Sequence, residues 1–81
     1  MDVAVLLFGP AAAVAGSSVV AVRAGTNPTV ASLVPLLRDA CPAIAPMLPS
    51  LRIALNGEFA LPDAVVRAGD EVALIGLVSG G

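Results

Sequence analysis

The stretch AGDEVALIGLVSGG, residues 68–81, decides how the chain must fold. It begins within a turn, Arg67 to Glu71, and continues as a nearly uninterrupted apolar strand, Val72 to Leu77. A strand that is apolar on both faces is typical of the buried centre of a sheet, where neighbouring strands are often parallel. The strand then meets Gly80 and Gly81, and glycine costs more backbone entropy to order than any other residue. The stretch therefore predicts a central strand followed by a tail that does not hold the fold together.

The amino-terminal third of the chain predicts two more strands. Val3 to Phe8 is short and apolar on both faces, so we expect it to lie beside the last strand at the centre of the sheet. Ser18 to Val22 is the second strand, and a loop or short helical turn at residues 9–17 joins the two.

One convincing helix follows, from Val30 to Cys41. Thr29 is a suitable N-cap, and Pro42 stops the helix. Pro35 lies within it, but at about 100° per residue it falls on the outer face, where a bend is tolerated. The side chains of the predicted buried stripe are those of Val30, Leu33, Val34, Leu37 and Cys41.

The carboxyl-terminal half begins with residues 42–50, where three prolines predict irregular structure. Leu51 to Leu55 then alternates as a strand, with Arg52 and Ala54 pointing outward. Asn56-Gly57 predicts a type I′ hairpin turn, because both of its residues tolerate positive φ. A short return strand is expected at Phe59 to Leu61.

Composition excludes several classes of function. The 81 residues form one small domain of net charge −2, with no basic cluster and two aromatic residues, which argues against nucleic-acid binding. With no histidine and one cysteine, the chain lacks a ligand set for zinc or an iron–sulfur cluster. Acid–base chemistry is left to six carboxylates and a thiol, so we expect no bound cofactor and no catalysis by the chain alone.

Three local features have a structural and a functional interpretation. The thiol of Cys41 is a candidate persulfide carrier, but its place on the apolar stripe favours a packing role. Asp70-Glu71 is interpreted as a solvated turn, not as a paired carboxylate site. The uncharged residues 3–22 have the length of a membrane span, yet Gly9-Pro10 interrupts them and no positive segment precedes them, so we expect a cytoplasmic protein with no membrane contact.

The element order is β-β-α-β-(β)-β, an α+β arrangement in which one helix can cover only one face of a four- or five-stranded mixed sheet. The opposite face then leaves apolar surface uncovered, and a large exposed apolar patch usually marks a partner interface. Leu6 and Phe8, on the second face of the first strand, are the candidate interface residues. The alternative is that the loops at residues 9–17 and 42–50 cover this surface.

Four segments carry a resemblance that spans the whole chain. VLLFG (5–9), TVASLVPLL (29–37), IALNGEFA (53–60) and AGDEVALIGLVSGG (68–81) resemble the small subunits of molybdopterin synthases in order and spacing. The sulfur carrier of thiamine biosynthesis shares the fold and the ending. The resemblance implies a ubiquitin-like β-grasp domain at residues 1–76 and a flexible, extended tail at residues 77–81.

The resemblance also implies a role for the tail. In that family an adenylating enzyme uses ATP to activate the terminal carboxylate, here that of Gly81, and a sulfur donor converts it to a thiocarboxylate. Gly80, Ser79, Val78 and Leu77 would occupy the channel of the large catalytic subunit, to which the thiocarboxylate delivers sulfur for a pterin precursor. Two such termini are needed for each dithiolene, which implies a heterotetramer.

Two departures from the family pattern affect partner contacts. Gly76-Leu77 stands where prolines are common, and Ala12-Ala13 stands where an Arg-Glu pair is frequent. Two alternatives remain: the thiamine-pathway carrier, and a noncatalytic ubiquitin-like interaction or modifier domain. The chain contains no lysine on which such a modifier could build chains of itself, which favours sulfur carriage.

Overall fold

A computed structural model of the chain describes residues 1–76, and residues 77–81 lie outside the described part. The strands are β1 (Asp2–Leu7), β2 (Val19–Arg23), β3 (Leu51–Leu55), β4 (Glu58–Phe59) and β5 (Val72–Gly76). The helices are α1 (Gly9–Ala15), α2 (Val30–Ala40) and a 3₁₀ helix (Pro42–Ser50). The strands form one sheet in the order β2-β1-β5-β3-β4.

The centre of the sheet is the pair of apolar strands that the sequence places together. β1 and β5 are parallel neighbours, with Val5 beside Val72 and Leu7 beside Leu74, and the other strand pairs are antiparallel. This five-stranded mixed sheet with one main helix on one face is the ubiquitin-like β-grasp fold, so the predicted fold class is confirmed.

Helix α2 begins as its sequence predicts. The Thr29 hydroxyl accepts a hydrogen bond from the Ser32 N–H at 3.2 Å, and the Thr29 N–H donates to Ser32 Oγ at 2.9 Å. This reciprocal capping box satisfies donors that have no partner within the helix. Pro35 is exposed and the helix continues through it. The helix ends at Ala40, one residue before the predicted end, and Cys41 is its C-cap.

The core lies between α2 and the inner face of the sheet and is entirely aliphatic. Leu33 and Leu37 of α2 are fully buried, together with Val5, Leu7, Ile44 and Val72. Burying a side chain of this size stabilises the folded state by about 1.5–3 kcal/mol. Neither phenylalanine belongs to this core, since Phe8 and Phe59 are both exposed.

The segment at residues 42–50 differs from its prediction. It is a nine-residue 3₁₀ helix and not irregular structure. Proline fixes φ near the value that a 3₁₀ helix needs, so the three prolines are compatible with this conformation. Ile44 and Leu48 point from it into the core. The connection at residues 9–17 takes the predicted helical alternative as α1, which buries Ala11.

The strand boundaries differ from the predicted ones by a residue or two. β1 ends at Leu7, because Phe8 is the N-cap of α1. β5 is described from Val72 to Gly76, and its predicted last residue, Leu77, lies outside the described residues. The return strand β4 has only two residues, Glu58 and Phe59.

Two turns are tied together at one end of the sheet. Asn56 and Gly57 have φ of 52° and 85°, which confirms the predicted type I′ turn. The Asn56 Nδ2 amide donates to Asp70 Oδ1 at 3.1 Å, and the Arg67 N–H donates to Asp70 Oδ2 at 2.8 Å. Both hydrogen bonds lower the pKa of Asp70 below its usual value, and the bond from the Arg67 N–H is the larger cause. Asp70 is therefore a bonded element of the turn and not merely a solvated carboxylate.

Candidate functional site

The face of the sheet opposite α2, called here the open face, carries an apolar row that crosses all five strands. One residue from each strand contributes to it, and neighbours in the row are register partners. From β2 to β4 the row reads Val19, Leu6, Ala73, Ala54 and Phe59. Cross-strand pairs on one face are direct neighbours, so these side chains form a continuous apolar strip.

The strip is exposed mainly at its ends. Val19 is 42% and Phe59 53% exposed, whereas Leu6 is half-buried. Ala54 points outward as predicted but is only 2% exposed, because it is a small side chain between Phe59 and Ala73. Large apolar side chains on an exposed face are typical of a protein–protein interface.

A second group of open-face residues lies next to the end of β5. Ile75 is half-buried and is the register partner of Arg52. Phe8 follows β1 directly in extended conformation, with φ −133° and ψ 157°, so it continues the alternation of Ala4 and Leu6. Phe8 is 54% exposed. The structure thus brings both predicted interface residues, Leu6 and Phe8, to the open face.

The open face also includes Val19, Phe59 and Ile75, which were not among the predicted interface residues. The signal for Phe59 was available, because a two-residue turn at Asn56-Gly57 fixes Phe59 opposite Ala54. Val19 and Ile75 depend on the register between strands far apart in the sequence, which no local pattern specifies.

Arg52 is the charged residue next to the apolar strip. Its guanidinium lies over the ring of Phe59, 5.1 Å from the ring centroid, in a cation–π arrangement. Within residues 1–76, no carboxylate lies within the 4.0 Å of a salt bridge from Arg52. Elsewhere among residues 1–76, Arg23 Nε and Asp2 Oδ1 lie 3.4 Å apart and form an ion pair, and both side chains are strongly exposed.

The described chain ends where the predicted tail begins. β5 is the middle strand of the sheet, and Gly76 is the register partner of Leu51. A Cβ on Gly76 would lie 3.6 Å from Leu51 Cδ2, an ordinary contact, so the position does not require glycine for space. The predicted site residues Leu77, Val78, Ser79, Gly80 and Gly81 lie outside the described residues, and their roles stay predictions. The carboxyl end of the described part of β5 lies beside Phe8 and Arg52.

The remaining candidate, Cys41, lies in a packing position. Cys41 is half-buried and packs against the core, and its N–H donates to the Leu37 carbonyl at 2.8 Å.

Among residues 1–76, no three side chains of the metal-binding types lie together. None of the described helices has the length and apolar character needed to span a membrane.

The fold and the open face define a ubiquitin-like domain. The ThiS family model matches residues 5–81 of this sequence. The chain therefore belongs to the ThiS family, and it is a ubiquitin-like sulfur carrier of that family.

Solved structures of other proteins share the fold. The crystal structure of SAMP1 from Haloferax volcanii has a TM-score of 0.86 and 32% identity, with 100% of each chain covered. Small archaeal modifier protein 1 from Methanosarcina acetivorans has a TM-score of 0.79 and 21% identity, over 99% of this chain and 96% of that one. A third structure is the complex of subunits 1 and 2 of the molybdopterin-converting factor from Helicobacter pylori. Its matching chain has a TM-score of 0.72 and 24% identity, with 100% of each chain covered. No curated protein matches the sequence.

Proposed function

We propose that this chain is the sulfur-carrying small subunit of a molybdopterin synthase, acting in the cytoplasm. The observation that supports this most is the family match, which extends through Gly81. The resemblance of four sequence segments to such subunits, and the shared fold of the Helicobacter pylori complex of subunits 1 and 2, favour the molybdopterin pathway. The proposed assembly is a heterotetramer of two carriers and two large subunits.

The proposed chemistry is carried by the carboxylate of Gly81. A carboxylate is a poor electrophile, so an adenylating enzyme first joins it to AMP from ATP and releases pyrophosphate. Sulfide from a sulfur donor then attacks the carbonyl carbon, the C–S bond forms, and the C–O bond to AMP breaks with AMP as the leaving group. The resulting thiocarboxylate is a soft sulfur nucleophile for the pterin precursor in the large subunit, which is a covalent-carrier strategy.

The role of the described domain is positioning. A partner that covers the open face is in contact with Phe8 and Ile75, next to the exit of β5. Residues 77–81, if extended, reach about 17 Å from that point. Gly80 and Gly81 have no Cβ, so a narrow channel can close on their backbone. Docking and delivery are therefore separate tasks, performed by the sheet and the tail.

The direct test is the intact mass of the chain after incubation with the adenylating enzyme, ATP and sulfide. The wild-type chain should gain about 16 Da, the difference between sulfur and oxygen, as acyl activation followed by sulfur attack requires. The variant lacking Gly81 should gain nothing, because its carboxylate is displaced by about 3.5 Å, one extended residue. Asp39→Asn, on the exposed surface of α2, is the matched control and should behave as wild type. A full mass gain and product formation by the truncated chain would show that the terminal glycine is dispensable.

A second candidate function is protein modification, favoured by the 32% identity to SAMP1 over the whole chain. In that case the activated Gly81 would be transferred to amines of other proteins, and incubation of the chain with ATP and a cell extract should give covalent adducts. A third possibility, carriage of sulfur in thiamine biosynthesis, uses the same chemistry with a different partner. Co-purification of a thiazole synthase in place of the large molybdopterin-synthase subunit would identify it.

A further inference from the structure

Arg52 is a cation on the open face that forms no salt bridge with a carboxylate of residues 1–76. Arg52 stacks on Phe59 at 5.1 Å, and no acidic side chain within residues 1–76 reaches salt-bridge distance of it. Arg23, in contrast, is paired with Asp2 at the far corner of the sheet. The contact with Phe59 places the charge of Arg52 at the end of the apolar strip, and its register partner Ile75 precedes the last described residue.

This arrangement restricts which surfaces can cover Phe59. A partner that removes the Phe59 ring from water must also remove water from the guanidinium stacked on it. Arginine keeps its positive charge throughout the physiological pH range, so it cannot become neutral when buried. A buried charge without a partner is strongly unfavourable, whereas a carboxylate that accepts hydrogen bonds from the guanidinium largely offsets the loss of hydration.

We propose that Arg52 is a specificity-determining residue of the open face, and that the docking partner presents a carboxylate to it beside an apolar strip. The inference rests on the proposed function and deepens it by stating the chemistry of the partner surface. Since the chain has a net charge of −2, the partner's carboxylate is selected locally by Arg52 and not by overall attraction. A purely apolar or basic surface is disfavoured, which discriminates among partners of similar shape.

The proposed ion pair between Arg52 and the partner's carboxylate also aligns the domain with its partner. The register partner of Arg52, Ile75, immediately precedes Gly76, the last described residue before the predicted tail. A bidentate guanidinium–carboxylate pair is directional, so it fixes both the distance and the angle between two surfaces. We therefore expect Arg52 to set the orientation of the domain at the point where the tail enters the partner.

The experiment measures the affinity of the chain for two probes, the large molybdopterin-synthase subunit and the adenylating enzyme of the same organism. Arg52→Gln should weaken binding to at least one probe by about tenfold or more, as for other hydrogen-bonded interface charges. Arg38→Gln is the matched control, because Arg38 is exposed on α2 and lies away from the open face. Both variants should stay folded, with a loss of no more than about 1 kcal/mol from the contact with Phe59 or from the helix end, or about 8 °C in melting temperature. Arg52→Glu should weaken binding more than Arg52→Gln, because it places a like charge opposite the partner's carboxylate.

The possible results separate the two proposals. Suppose that wild type binds a probe and that Phe59→Ser weakens this binding. If Arg52→Gln then binds as tightly as wild type, the inference about Arg52 is wrong, while docking on the open face stands. If wild type binds neither probe, the docking proposal and this inference both fail. The gain of sulfur mass by Gly81 is measured without the large subunit, so it reports on sulfur carriage separately from binding to that subunit.

Discussion

Shortening Leu37 to alanine tests whether the aliphatic core, packed under α2, supplies most of the stability of the fold. Leu37 is fully buried and belongs to the same cluster as Leu33 and Ile44. Leucine-to-alanine changes at such sites cost about 2.7–5 kcal/mol, of which the cavity left behind is a large part. At roughly 0.05–0.15 kcal/mol per residue, a domain of this length has a stability of about 4–12 kcal/mol. Leu37→Ala should therefore remove about a fifth or more of the free energy of unfolding.

Urea denaturation followed by far-ultraviolet circular dichroism is the appropriate assay, since it needs no aromatic residue in the core. Leu61→Ala is the matched control, because Leu61 is 68% exposed and loses the same atoms without leaving a cavity. Its effect should stay within about 0.5 kcal/mol. Each kcal/mol corresponds to a shift of about 4–8 °C in melting temperature for a domain of this size. A loss below about 1 kcal/mol for Leu37→Ala, or an equal loss for both variants, would refute the assignment of the core.

Three further predictions follow from the turns, the thiol and the open face. The pKa of Asp70 is lower in the folded chain than its ordinary value of 3.8, so the stability that its carboxylate contributes is complete above that pH and is lost as the pH falls further. Between neutral pH and low pH, the free energy of unfolding should therefore fall less for Asp70→Ala than for wild type, and Asp63→Ala is the control. Cys41→Ala should lower stability modestly and leave the gain of sulfur mass intact, and loss of that gain by a folded variant would place the sulfur on the thiol. A saturating large subunit should raise the melting temperature of the chain by mass action, and an unchanged midpoint would argue against docking.

Local sequence signals predicted the elements whose causes are local. Thr29 has the hydroxyl that caps α2, and Asn56-Gly57 has the positive φ of a two-residue turn. The parallel pairing of β1 with β5 was also accessible, because both strands are apolar on both faces and such strands occupy sheet centres. Each of these predictions needed only a few neighbouring residues.

The features that the sequence did not reveal depend on distant parts of the chain. The 3₁₀ helix at Pro42–Ser50 was predicted as irregular, because prolines usually indicate a loop and the burial of Ile44 and Leu48 depends on the rest of the core. The apolar strip on the open face exists only through the register of five strands, which brings Val19 and Phe59 into one row. The roles of residues 77–81 stay predictions.

The position of the two phenylalanines determines how this molecule can be observed. The chain has no tryptophan or tyrosine, and both of its aromatic rings, Phe8 and Phe59, lie at the surface on or beside the open face. Aromatic proton resonances should therefore be nearly insensitive to packing in the interior and should respond when another protein covers the sheet. Methyl resonances of Leu33, Leu37 and Ile44 report the interior instead. Nuclear magnetic resonance of the unlabelled chain can thus follow folding and docking through two chemically distinct sets of signals.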